Sequence, residues 1–202
     1  DEANKIALWP EWMNWDELMK RRHEKGERIF RQEFLCSPAS TENAYITKDR
    51  LDKVVNPKLV NSDMKHDRPT ENDVFAGYDI GKHGHPAHFS VFEQVKNKRI
   101  QIYQKFFDGW DYNKQIEFLR EAIKKLHIDR LWYDNTRGEF EGFEENGELP
   151  EEMLPVSFSL KTKNKMAAAF DKAISKNEIE LLNDARMLEQ IQLVDGDLHA
   201  IE

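Results

Sequence analysis

The sequence predicts an α/β fold with a mixed central sheet of about five strands flanked by helices: a three-strand antiparallel meander, then parallel strands. Three observations carry this expectation. Apolar runs over residues 74–79, 89–95 and 100–107 are separated by turn-forming residues at hairpin spacing. A helical period over 111–126 then feeds into the apolar run 130–134, and a strand–helix–strand crossover makes such a return strand parallel to its neighbour. The first strand of the meander and this return strand both end in an acid, Asp79 and Asp134.

Each element follows from local chemistry. Trp15, Leu18, Met19, Ile29, Phe30 and Phe34 recur at roughly helical spacing with Lys20, Arg21, Arg22, Glu24 and Lys25 between them, so one or two helices are expected there. Ser37-Pro38 ends them, and residues 56–72, polar and interrupted by Pro57 and Pro69, read as a linker. Residues 1–72 are thus expected to form a helical segment and linker, and residues 73–202 the main domain. Gly81 to Pro86 and Asn97-Lys98 supply the two turns of the meander. Asp111 is placed to cap a helix whose apolar face carries Ile116, Leu119, Ile123 and Leu126. After Asp134 a flexible acidic loop is expected over 140–152. A brief strand at 155–158, a helix over 166–175, a short strand at 178–182 and a helix over 184–193 complete the pattern.

Composition narrows the classes of function. The 202 residues suit one domain plus an appendage, at roughly 100 to 200 residues per domain. With 39% hydrophobic and 11% aromatic residues the chain can bury a core and is not compositionally disordered. A net charge of -8 argues against nonspecific coating of nucleic acid, although carboxylates that hold divalent metals would also make a DNA enzyme acidic. The single cysteine, Cys36, excludes an internal disulfide and a thiolate zinc cluster, which fits a reducing compartment. No long apolar run is present to span a membrane. The start at Asp1, within a charged and helical-looking stretch, suggests a piece of a longer protein.

Asp79 and Asp134 are the residues on which chemistry converges. Each sits at the carboxyl end of an apolar strand, the edge where α/β sheets bind ligands. Side by side the two carboxylates would repel, and one pKa would rise sharply; Mg²⁺, which favours carboxylate oxygens and keeps waters for chemistry, resolves that conflict. Either aspartate alone is as readily a turn residue or a cap. The pair shifts the balance, because each follows a tyrosine, Tyr78 or Tyr133, and leads into a glycine-containing loop, at Gly81 or Gly138, where a phosphate backbone can come close.

Other residues carry weaker signals. Lys82, Arg137, Lys161, Lys163 and Lys165 are candidate phosphate contacts, with the 161–165 cluster the strongest, although any one of them is more often a solvated surface charge. His83, His85 and His88 invite a zinc reading but lack a fourth ligand nearby. Trp9, Trp12 and Trp15 read as packing aromatics rather than a base-stacking platform. Cys36 reads as a small buried apolar residue. Asp195 and Asp197, flanking Gly196, read as turn residues.

The stretch Gly77-Tyr78-Asp79-Ile80-Gly81-Lys82 before a meander, and Leu131-Trp132-Tyr133-Asp134-Asn135-Thr136-Arg137-Gly138 after the first long helix, resemble the first two metal-binding elements of the nuclease domain of tailed-phage large terminase subunits. The segments Ala7-Leu8-Trp9-Pro10-Glu11 and Glu27 to Pro38 are similar to the end of the terminase ATPase domain, so the resemblance spans nearly the whole chain. Each motif is short, and their order carries the match. The resemblance implies an RNase H-like fold for 73–202 and two-metal hydrolysis of DNA with Mg²⁺ or Mn²⁺. It also implies Asp79 bridging both ions, Asp134 holding one, and products ending in a 5′-phosphate and a 3′-hydroxyl. The partners it implies are double-stranded DNA, the ATPase domain, the small terminase subunit and the capsid portal, acting in the host-cell cytoplasm during virus assembly. It further implies a third acid on a late helix; no counterpart precedes Glu202, and that ligand is expected just beyond or to have been lost.

Other readings stay open on the residues alone. A resolvase or transposase of the same fold would share Asp79 and Asp134 but not explain the first 38 residues. An actin-like ATPase lobe also opens a hairpin with Asp-x-Gly, yet here Lys82 follows Gly81 and no second such loop occurs. A silent module that grips DNA or a portal fits the absent third acid. No Walker-type glycine loop is present in the sequence.

Overall fold

The computed structural model describes residues 7, 10–25, 34, 44–81, 86–195 and 198. They fall into two compact units, residues 1–47 with 192–202, and residues 48–191. In the first unit, α1 (Trp15–Lys25) starts where the Asn14 side chain accepts the Glu17 N–H at 3.0 Å. Trp12 is 75% exposed in this chain, while Trp15 is half-buried. Ala44 bridges antiparallel to Asp195, and the Tyr45 N–H donates to the Val194 carbonyl at 2.7 Å. Trp9, Cys36 and Asp197 lie outside the described residues.

The second unit is built on a seven-stranded sheet. Its strands are β1 (Val55–Asn56), β2 (Val74–Asp79), β3 (Ala87–Val95), β4 (Lys98–Phe107), β5 (Arg130–Asp134), β6 (Met153–Val156) and β7 (Ile179–Leu182), in the order β1-β7-β4-β3-β2-β5-β6. The expected meander is β2–β3–β4, antiparallel throughout, with a register shift at Val91/Phe92. The neighbours β5 on β2, β6 on β5, β7 on β4 and β1 on β7 are all parallel. The sheet exceeds the expected five strands partly because Val55 and Asn56, in a stretch that looked like the start of a linker, pair with Leu181 and Leu182.

Helices α2 (Lys48–Leu51), α3 (Tyr112–Leu126), α4 (Glu141–Glu145), α5 (Leu160–Ser175) and α6 (Ala185–Gln192) accompany the strands. Asp111 caps α3 as its position predicts, its side chain accepting the Lys114 N–H at 2.9 Å, and Ile116, Leu119, Ile123 and Leu126 are all buried. They pack with Val74, Ala76, Tyr78, Phe89, Val91, Phe107 and Leu131 into one apolar core on the inner face of the meander. At the far side of the sheet, the fully buried Gln101 donates to Ser90 Oγ and accepts the Leu182 N–H, so its amide is satisfied inside the fold.

Two expectations shift. Helix α5 begins at Leu160, not near 166, because Ser159 caps it by accepting the Thr162 N–H at 3.2 Å. The stretch 140–152 is not an open loop: Phe140 is fully buried in the core and α4 follows it directly.

Residues 68–72 are held to β3 through Glu93, which is almost fully buried. Its carboxylate accepts from Arg68 Nη2 at 2.7 Å, Thr70 Oγ1 at 2.5 Å and Asn72 Nδ2 at 3.0 Å. Burial pushes this carboxyl up, but the Arg68, Thr70 and Asn72 hydrogen bonds overcome it and leave the pKa below the ordinary 4.5. A depressed carboxyl pKa contributes stability that is present above the unfolded value and lost as pH falls through the folded one. Glu93→Gln is therefore expected to cost about 2 kcal/mol at pH 7, with the cost shrinking in acid below the ordinary carboxylate range. Urea melts of both proteins at neutral and acid pH check this; a cost that is equal at the two would contradict it.

Candidate metal centre

The parallel pairing of β2 and β5 fixes the geometry of the two acids. Tyr78 is in register with Tyr133, so Asp79 and Asp134 follow side by side at the carboxyl ends of adjacent parallel strands. The tyrosines are buried beneath them, Tyr78 stacking on Phe140 at 6.1 Å and Tyr133 tilted against it at 5.5 Å. The Tyr78 hydroxyl donates to Gln115 Oε1, and Gln115 Nε2 donates to the Gly81 carbonyl at 2.9 Å and the Trp110 carbonyl at 2.7 Å. A fully buried amide of α3 thereby holds the chain on both sides of Asp79.

The surroundings of Asp79 disfavour its charged form. Its side chain keeps a path to solvent, yet crowding by protein is the largest cause raising its pKa; the charges of Asp134 and Glu139 add to it, and only Lys163 opposes them. Glu139 was not singled out from the sequence, because it is one acid in an acidic stretch. Its relation to Asp79 is set by the turn through Gly138, at φ +71°, a conformation that suits glycine. The pair's chemistry fits a hard divalent cation: oxygen ligands only, on adjacent strand ends, with repulsion that a cation relieves as a proton does. Among the described residues, no group of three or more His, Cys, Asp and Glu side chains is arranged to hold a metal ion.

Asp134 is held differently. The Thr136 N–H donates to Asp134 Oδ1 at 2.8 Å, and the Thr136 hydroxyl donates to the same oxygen. That hydroxyl also accepts the Phe158 N–H at 2.8 Å. Thr136 was likewise not singled out, although an aspartate two residues before it is the local signal of such a turn.

The cationic candidates are unequal. Lys161, Lys163 and Lys165 are exposed on the first turns of α5, and Lys163 is the one whose charge bears on Asp79. Lys161 and Lys165 border a shallow hollow with Leu160, Asn164 and Ala168. Arg137 is exposed in the turn after Asp134. Lys82, His83 and His85 lie outside the described residues. His88 stands across from Asp79 in the β2–β3 register, with its ring stacked on Phe106 at 4.2 Å and its Nε2 3.2 Å from Gln104 Oε1. Burial keeps its pKa below the ordinary 6.5, so near neutral pH it carries no charge.

No protein-family model matches the chain, and no curated protein matches it. Solved structures do. The large terminase nuclease of thermophilic phage G20c is similar at a TM-score of 0.63 and 15% identity, over 76% of this chain and 82% of that one. The large terminase nuclease domain of Thermus phage P74-26 is similar at 0.59 and 16%, over 75% of this chain and 78% of that one. The large terminase of another thermophilic bacteriophage is similar at 0.53 and 15%, over 86% of this chain but 42% of its own length. The G20c domain has been solved with bound magnesium, zinc and cobalt. The mixed sheet described above thus has the fold of these nuclease domains, the RNase H-like fold expected from the sequence.

Proposed function

We propose that this chain carries the metal-dependent endonuclease domain of a DNA-packaging large terminase, cutting DNA phosphodiesters with little sequence preference. The observation that carries this reading is the adjacency of Asp79 and Asp134 at the carboxyl edge of a sheet whose fold is that of solved terminase nucleases. Asp79, central and crowded, would bridge two Mg²⁺ or Mn²⁺ ions, and Asp134 would hold one of them. When bound, such ions lower the pKa of an attacking water and stabilise the leaving oxygen.

The chain's own residues supply placement. Gln115 and Tyr78 fix the strand end beneath Asp79, and Thr136 fixes Asp134. Lys161, Lys163 and Lys165 on α5, with Arg137 from the turn after Asp134 and Lys82, three residues after Asp79 in the sequence, would hold backbone phosphates, which positions a duplex without reading its bases. Their local positive charge would offset the acidity of the whole chain where the backbone lies.

By the same reading the partners are double-stranded DNA, the ATPase domain of the terminase, the small terminase subunit and the portal. The work would take place in the host cytoplasm during virus assembly. Among the described residues, no helix is long and apolar enough to cross a membrane.

Supercoiled plasmid incubated with the chain tests the activity. Nicked and linear products should form with Mn²⁺ or Mg²⁺, ending in a 5′-phosphate and a 3′-hydroxyl, and should vanish with excess chelator. Cutting that persists under chelation would reject the metal-dependent reading, and no cutting with either ion would reject nuclease activity in this chain.

A further inference from the structure

We propose that Thr136 is a positioning residue for the metal centre: its hydroxyl aims the Asp134 carboxylate and ties it to the start of α5. This rests on the nuclease reading above. The grounds are geometric. A threonine hydroxyl has one proton to give and two lone pairs to receive with. Phe158 N–H, a donor that cannot accept, occupies one lone pair at 2.8 Å. The hydroxyl proton is therefore free to go to Asp134 Oδ1, which also accepts the Thr136 N–H at 2.8 Å.

Among the described residues, the hydrogen bonds to Asp134 all fall on Oδ1. Two donors on one oxygen restrict rotation of the carboxylate and, among the described residues, leave Oδ2 without a protein donor. Carboxylates that ligate metals are themselves hydrogen-bonded in this way, and the supporting donor sets how well the ligand is aimed.

The same hydroxyl acts at a second place. Phe158 immediately precedes Ser159, whose side chain caps α5 and whose carbonyl accepts the Lys163 N–H at 2.9 Å. One side chain thus joins the β5 acid to the N-terminal turn of α5.

The test compares Thr136→Val, which keeps the shape and removes the hydroxyl, with Thr136→Ser, which keeps the hydroxyl. Mn²⁺ binding by calorimetry and plasmid cutting against Mn²⁺ concentration are read for both, for the unmodified chain and for Asp134→Asn. Thr136→Val is expected to weaken Mn²⁺ binding by about tenfold or more. Its cutting should recover toward the normal rate as Mn²⁺ is raised, and Thr136→Ser should stay within about twofold of normal.

Should Thr136→Val unfold below the assay temperature, Thr136→Ala makes the same deletion without placing a methyl against a polar group, and its Mn²⁺ affinity decides. Normal affinity in the hydroxyl-free variant, with Asp134→Asn impaired, would overturn the role of Thr136 and leave the nuclease reading intact. Failure of the unmodified chain to bind Mn²⁺ would overturn both. Equal losses in the serine and valine variants would point to packing and overturn the positioning role.

Discussion

Asp79→Asn is expected to reduce plasmid cutting by about 1,000-fold or more, equivalent to about 4 kcal/mol of transition-state stabilisation, at any Mg²⁺ or Mn²⁺ concentration. Asparagine keeps the size of the side chain but loses its charge and one of its two acceptor oxygens, so it cannot bridge two cations. The surroundings also resist the charged form of Asp79: protein crowding, Asp134 and Glu139 all raise its pKa. Removing that charge relieves repulsion in the metal-free fold, so the variant should be at least as stable as the parent while losing activity. Opposite movement of stability and rate separates loss of a ligand from damage to the fold. Thermal melts beside cutting rates check both, and unchanged cutting at equal protein concentration would reject the assigned site.

Phe140→Ala is expected to cost about 3 to 5 kcal/mol of stability, a large share of the roughly 5 to 15 kcal/mol that holds a typical domain together. Phe140 has no exposed surface and meets Tyr78, Tyr112, Tyr133 and Phe143 with ring centroids between 5.5 and 6.1 Å. Truncation leaves a cavity directly beneath the residues preceding the two acids. The melting temperature should fall by roughly 10 °C, taking about 2 to 4 °C per kcal/mol for a chain of this size. Cutting should fall with it even where the protein remains folded, because Tyr78 and Tyr133 lose the ring that braces them. Phe140→Leu, which fills most of the volume, should cost less than about 1.5 kcal/mol. A melting temperature that hardly moves in the alanine variant would show that the site does not depend on this support.

How much of this could be read from the sequence depended on whether the signal was local. The meander and crossover follow from strand and helix periods and from turn chemistry, and Asp111 announces α3 by its place in the chain. Asp79 and Asp134 were legible because each ends an apolar run. Their adjacency then follows from the β2–β5 pairing, which the crossover predicts.

Elsewhere the signal was not local. Strand β1 is two residues long, too short for any period, and exists only because β7 offers it an edge. The lysines of 161–165 hide the apolar period of α5, although Ser159 was available as a cap signal. Phe140 was outvoted by the glutamates after it, and only the tertiary core reveals that a single aromatic anchors the turn. Glu139 is ordinary in sequence, and its charge bears on Asp79 only once the chain has folded.

Anomalous scattering from crystals of the chain soaked in Mn²⁺ tests the shared metal centre most directly. Two peaks should lie about 3.5 to 4 Å apart at the carboxyl edge of the sheet, with Asp79 oxygens on both and an Asp134 oxygen on one. Manganese bound only elsewhere, or the two carboxylates turned away from one another with no ion between them, would contradict it.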